Sequence, residues 1–250
     1  MTCKRFPRRS FVLFGACALV IGVAVAAALP FNFTHFGNFQ HMSHTGDTKG
    51  QVKLAAVPQA PGTWGVGAIA GLKGEILVHD GKVLVSRGAD PEGRTAPAAH
   101  GEEAALFASA TVKSWIEVLI PREMDQAAVE AFVVEQAKVR GIDIEQPFAF
   151  LIDGDFPRLR WHVVTGDRPA GQGGGHDGGR AHLISGMRQF HAPGSSGRLV
   201  GIYSGKALAG VVSHEGERFH LHYAGDRTRV SGHVDAYAVA AGALLKLPVE

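Results

Sequence analysis

From Leu199 onward the chain is a succession of short apolar runs, 200–203, 210–213, 218–223 and 232–239, divided by turns that carry glycine or charge. Runs of this length, rich in Val, Ile, Tyr and Phe, bury themselves as β-strands joined by tight connections. The same texture occurs near the front, where 74–79 and 82–85 flank Asp80-Gly81 as the two arms of a hairpin. Residues 105–120 and the pair 148–152 and 159–164, around Asp153-Gly-Asp155, also read as strand. One helix stands out, from Asp125 to Arg140: Asp125 caps it, Ala128, Phe132, Glu135 and Val139 mark its turns, and Gly141 ends it. The expected fold is therefore α/β in the α+β sense, with mostly antiparallel or mixed β-sheets and few helices. Residues 91–103 read as a loop, and the glycine-dense stretch 166–180 as a flexible insertion, since it lacks the Lys-Ser/Thr of a phosphate cradle.

Within those strands lies the chemistry. Arg218-Phe-His220-Leu-His222 is followed eleven residues later by His233 in Gly232-His233-Val234. Residues i and i+2 of a strand share a face, so His220 and His222 project together, and the polar connection is long enough to return His233 beside them. Three imidazoles leave open positions on a bound metal, the pattern of catalytic zinc. The chain has 13 histidines, so a His-x-His pair also occurs readily on a solvated strand face. A cupin-like barrel is an alternative metal-binding reading: Gly216 lies four residues before His220, and Asp226 and Gly232 follow. Asp stands there for the expected Glu, and no second Pro-Gly-His segment is present.

The front of the chain belongs to a different function. Lys4, Arg5, Arg8 and Arg9 precede an uncharged run over 11–29 that ends near Ala26-Ala27-Ala28, the layout of a secretory signal. Arg8-Arg9-Ser10-Phe11-Val12 also has the form of a twin-arginine export signal. Residues 1–28 are expected to be a signal for export to the periplasm, with an uncleaved membrane anchor through 11–29 as the alternative. Residues 29–62 read as a linker, and 63–250 as the functional domain. Loss of the four basic residues takes the formal charge from +2 to −2, which leaves no basic face for nucleic acid. Both cysteines, Cys3 and Cys17, also lie in the signal, so a metal in the domain must be held by His and carboxylate.

The residues around the histidines resemble a known family. The segment from Gly216 to Val234, with His-Leu-His-aromatic, Asp226-Arg227 and then Gly-His-Val, is similar to the histidine signature of the acetolactate decarboxylases. Gly197-Arg-Leu-Val-Gly201-Ile resembles that family's Gly-Thr-Leu-Val-Gly-Phe, and Leu72-Lys-Gly74-Glu75 resembles its Leu-Asp-Gly-Glu hairpin, with Lys73 where the family has Asp. The likeness runs discontinuously from about Trp64 to Tyr237.

The resemblance implies a two-part, sheet-rich homodimer that binds Zn2+ through His220, His222 and His233, with Glu75 holding the metal and its water. It implies decarboxylation of 2-acetolactate, a small 2-hydroxy-3-keto acid, to acetoin without an organic cofactor. Loss of CO2 leaves an electron pair that the neighbouring ketone must accept, which suits a Lewis acid and a proton donor. The family's strand Arg falls here on His162, with Arg160 two residues earlier: His162 is expected to donate a proton and Arg160 to reach a carboxylate. A further acidic residue on a C-terminal tail is implied, and Glu250 or Asp235 is expected to stand in for it. An exported metal-binding protein of the same fold, with altered or lost catalysis, is the alternative.

Overall fold

The computed structural model describes Met1 and residues 31–166 and 186–249. The expected signal or anchor and most of the 166–180 insertion lie outside the described residues. Among the described residues, no helix is long and apolar enough to cross a membrane.

The expected linker is structured from Phe31. It forms strand β1 (Phe31–Phe36), helix α1 (Phe39–Thr45) and strand β2 (Val52–Lys53). Its Gly, His and Gln content concealed these elements, which are stabilised by pairing and packing: β1 lies along β7 (Glu103–Val112) in register from Phe31↔Val112 to Phe36↔Phe107. Helix α1 is capped by Asn38, whose side chain accepts from the His41 N–H, and closed by Gly46 in the left-handed conformation.

The first sheet follows the order β1-β7-β3-β4-β5-β6, with β2 also on β7. It uses β3 (Thr63–Ile69), β4 (Gly74–His79), β5 (Lys82–Arg87) and β6 (Thr95–Pro97). The β4–β5 hairpin turns at Asp80 (φ 51) and Gly81 (φ 80), the double positive φ of a type I′ turn. The loop expected over 91–103 contributes the three residues of β6.

The second sheet has the order β12-β11-β15-β14-β13-β10-β16-β8, with β9 on β15. It comprises β8 (Ser114–Leu119), β9 (Met124–Asp125), β10 (Phe148–Phe156), β11 (Arg158–Val164), β12 (Met187–His191), β13 (Ser195–Tyr203), β14 (Phe219–Gly225), β15 (Val230–Val239) and β16 (Leu244–Val249). Every strand pair described is antiparallel. Three sequence expectations are corrected here. The run 105–120 is two strands, β7 and β8, that belong to different sheets. Strands β10 and β11 are not partners: β10 pairs with β13 and β16, and β11 with β12 and β15. Residues 210–213 are turn and bend.

The main core joins Trp64, Val66 and Leu77 of the first sheet to Phe150, Leu199 and Val200 of the second. Helix α2 (Gln126–Val139) adds Val129, Val133 and Ala137 to it, a stripe at spacing four. The expected face was off by one residue: Ala128 and Phe132 are only partly buried, and Val139 is exposed. The capping expectation is met, since the Ala128 N–H donates to Asp125 Oδ1 at 3.0 Å. A second cluster, including Leu54, Ile76, Val85 and Phe107, covers the other face of the first sheet.

Candidate metal centre

Strand periodicity assembles the site. On β14, His220 and His222 share a face, and antiparallel pairing sets His222 opposite His233 on β15. One strand further, His162 on β11 is the cross-strand partner of His233. Facing them from the first sheet is Glu75, the second residue of β4. The β14–β15 connection is a short 3-10 turn in which Arg227 (φ 56) and Thr228 (φ 70) adopt left-handed conformations. Thr95 of β6 braces it twice: its N–H donates to the Arg229 carbonyl at 2.9 Å, and its hydroxyl donates to the Thr228 carbonyl.

One ligand atom from each of His220, His222 and His233 lies within 4.8 Å of the others. The Nε2 atoms of His220 and His222 are 3.2 Å apart. Two nitrogens bound tetrahedrally to zinc sit about 3.3 Å apart, given Zn–N bonds of about 2.0–2.1 Å. The His220 ring is oriented by its Nδ1, which donates to the Val212 carbonyl at 2.8 Å and leaves the Nε2 lone pair facing the cluster. The Nδ1 of His222 is buried with no hydrogen-bond partner among the described residues. Burial holds all three imidazoles neutral, His220 pushed down to about 3 and His222 and His233 well below their ordinary value. Neutral imidazoles with clustered lone pairs fit a divalent metal of zinc's type.

Glu75 is buried beneath the cluster, with Oε2 3.6 Å from His222 Nε2 and Oε1 4.0 Å from His162 Nε2. The Val164 N–H donates to its Oε1 at 3.3 Å. Burial pushes the Glu75 carboxyl up to about 7, against the pull of His162. His162 lies 2.8 Å from Asp235, Nδ1 to Oδ1. Burial works against the charge on His162, but the Asp235 hydrogen bond and the Glu75 and Asp235 carboxylates outweigh it and raise its pKa.

The site opens into a cavity of about 70 Å3. Met42, Leu72, Leu106 and Met187 supply apolar lining, together with the polar Glu75, His162, His220 and His233. Arg160 is not part of it. The β11–β15 register shifts between Arg160 and Trp161, so that Arg160 pairs with Ala236, and its side chain is exposed outside the cavity. Among the described residues the cavity lining contains no Arg or Lys. Glu250 lies outside the described residues, whereas Asp235 is in the site through His162.

Sequence reasoning missed His214, which lines the cavity from the 204–218 connection, and helix α1, which supplies Phe39, Met42 and Ser43 to its rim. His214 sits in a segment whose first residues read as strand, and nothing in Ser213-His214-Glu215 distinguishes it from a surface histidine.

The sequence matches the alpha-acetolactate decarboxylase family over residues 41–245. No curated protein matches it. The fold is similar to that of alpha-acetolactate decarboxylase from Bacillus subtilis strain 168, with a TM-score of 0.70 and 17% identity over 87% of this chain and 86% of that one. The acetolactate decarboxylase of Bacillus subtilis subspecies spizizenii superimposes equally well, with a TM-score of 0.70 and 16% identity over the same shares of the chains, 87% and 86%. A Staphylococcus aureus protein of unknown function, described as similar to alpha-acetolactate decarboxylase, gives a TM-score of 0.65 and 17% identity over 87% of this chain and 86% of that one. At these identities the likeness shows the fold, and the two-sheet arrangement with few helices is that of the acetolactate decarboxylases.

Proposed function

The chain belongs to the alpha-acetolactate decarboxylase family, and from that premise we propose that it converts 2-acetolactate to acetoin and CO2 at the His220–His222–His233 centre. The observation that carries the reading is the convergence of three neutral imidazoles, one of them, His222, 3.6 Å from the buried carboxyl of Glu75, near a hydrogen-bonded His162–Asp235 pair.

Zn2+ held by the three histidines would act as a Lewis acid toward the charge that develops on the substrate's ketone oxygen. The chain's own groups divide the remaining work. Glu75, 3.6 Å from His222 Nε2, accepts a hydrogen bond from the tertiary hydroxyl and so orients the substrate. The C–C bond to the carboxylate breaks, CO2 leaves, and the electron pair passes into the adjacent carbonyl. His162 then delivers a proton from Nε2 to the former α-carbon, with Asp235 on Nδ1 holding the ring and stabilising its charged form. The balance is one acetolactate anion and one proton giving one acetoin and one CO2. The apolar lining of Met42, Leu72, Leu106 and Met187 receives the methyl groups and excludes water.

A second reading, metal binding without decarboxylation, draws on the absence of Arg and Lys from the described cavity lining, which leaves the substrate carboxylate no guanidinium or ammonium to pair with. Acetoin formation by the purified, zinc-loaded chain separates the two. Production above the protein-free control supports decarboxylation, and zinc binding with no acetoin supports the second reading. The proposal extends to the surroundings of the domain: a homodimer, exported to the periplasm by residues 1–28 or anchored through 11–29. Sedimentation and cell fractionation test these parts.

A further inference from the structure

One metal-site histidine, His220, is oriented by a backbone carbonyl, that of Val212, whereas His222 Nδ1 is buried with no hydrogen-bond partner among the described residues. The backbone of His233 is paired across to His162 and His222, but its ring makes no hydrogen bond to a described residue. Its ring is held by other rings. The closest to parallel is His214, with centroids 5.1 Å apart and planes 17° apart. On His214, in turn, Phe39 of α1 stacks at 4.3 Å and 11°. Offset-parallel rings at these separations attract and restrict one another's rotation.

The stack is anchored at its outer end. The Phe39 N–H donates to the Val211 carbonyl at 2.8 Å, and the Gln40 N–H to the Gly210 carbonyl at 2.9 Å. Glu217 Oε2 lies 3.9 Å from His214 Nδ1. The connection 204–218 thus serves two ligands within three residues: the Val212 carbonyl orients His220, and the His214 ring abuts His233. Helix α1 pins that connection from outside.

We propose that His214 is a positioning residue of the metal centre, which holds the His233 imidazole by stacking while Phe39 holds His214. The inference rests on His220, His222 and His233 being metal ligands, and not on the substrate or the reaction. It gives the 38–46 segment a role in metal retention, although its residues contribute no ligand. Partners that orient a ligating histidine typically change metal affinity about 10- to 100-fold when removed.

The test is metal binding by the purified chain, with Zn2+ measured by competition against a chromophoric chelator and Co2+ by its visible d–d absorption. His214→Ala is expected to weaken Zn2+ binding about tenfold or more and to alter the Co2+ spectrum. His214→Phe, which keeps a stackable ring without nitrogens, is expected to restore both, and Phe39→Ala to weaken binding to a smaller degree. Circular dichroism of the metal-free variants checks the fold, and the Phe variant carries the test should the Ala variant not fold. Wild-type affinity and an unchanged Co2+ spectrum in His214→Ala would overturn the proposal. So would equal loss in His214→Ala and His214→Phe, since the nitrogens rather than the stack would then matter. A chain that behaves as expected here but makes no acetoin retains this inference and loses the decarboxylase reading.

Discussion

Asp235 reaches His162 because it is the extra residue of a β-bulge. Along β11 and β15, Arg160 pairs with Ala236 and Trp161 with Val234, so Asp235 has no cross-strand partner of its own. A bulge re-aims the side chain at its centre. Here the carboxylate comes to 2.8 Å from His162 Nδ1, and Nε2 is left on the side of Glu75, 4.0 Å away. An acid–base side chain with one ring nitrogen occupied and the other turned to the cavity is equipped to carry a proton in a defined direction.

Asp235→Asn is therefore expected to lower kcat for acetoin formation about 10- to 100-fold while Zn2+ content stays near one per chain. The amide can no longer stabilise a charged His162 and can favour the wrong tautomer. An acetoin assay run beside metal analysis checks this. Unchanged kcat would remove Asp235 from the mechanism.

Gly232, next to His233, is constrained by its neighbours. A Cβ there would lie 2.3 Å from the His162 carbonyl oxygen and 2.5 Å from Trp161 Cε3. The backbone oxygen cannot swing away without breaking the β11–β15 pairing that sets His162 against His233. Gly232→Ala is expected to cost about 1–3 kcal/mol in urea unfolding and to weaken metal binding as well.

The fold was legible where one strand's own pattern determines the result. Period-2 alternation placed His220 and His222 together, Asp80-Gly81 marked the β4–β5 hairpin, and Asp125 and Gly141 bracketed α2. Elements set by tertiary partners were not. Strand β1 gains its stability along β7, and α1 against the Gly210–Val211 backbone, and the short alternation of Phe31 and Phe33 is too brief to announce a strand in a segment rich in Phe, Gly, His and Gln. The bulge at Asp235 is a property of two strands and leaves no mark in the spacing of either one. His214 arrives in the site through a non-repetitive connection, beyond the reach of any periodicity.

Away from the metal, Arg198 links the two sheets. On β13 it pairs across to Asp153 on β10 through both carboxylate oxygens, and its guanidinium lies 4.8 Å over the Trp64 ring of β3. Lys246 Nζ adds a contact to Asp153 at 3.3 Å. Burial alone would raise the Asp153 pKa, but Arg198 and Lys246 overcome it and hold the carboxyl below its ordinary value. A depressed folded-state pKa contributes stability above the unfolded value of about 3.9 and loses it as pH falls through the folded value. Asp153→Asn is expected to destabilise the chain by about 1–3 kcal/mol at pH 7, and the gap from wild type should close below about pH 4. Urea titrations at the two pH values test it. A gap independent of pH would mean that the loss comes from packing.

His222→Ala removes the most deeply buried of the three imidazoles. Metal analysis after dialysis is expected to show loss of bound Zn2+, with no acetoin formed. Retention of one Zn2+ per chain by this variant would place the metal elsewhere.

The most direct test of the account is acetoin formation from 2-acetolactate by the purified chain, before chelation, after it, and after Zn2+ is returned. The account predicts acetoin from the metal-loaded protein, none above the protein-free control after chelation, and recovery with Zn2+. Stoichiometric Zn2+ bound by His220, His222 and His233, with no acetoin at any stage, would contradict it.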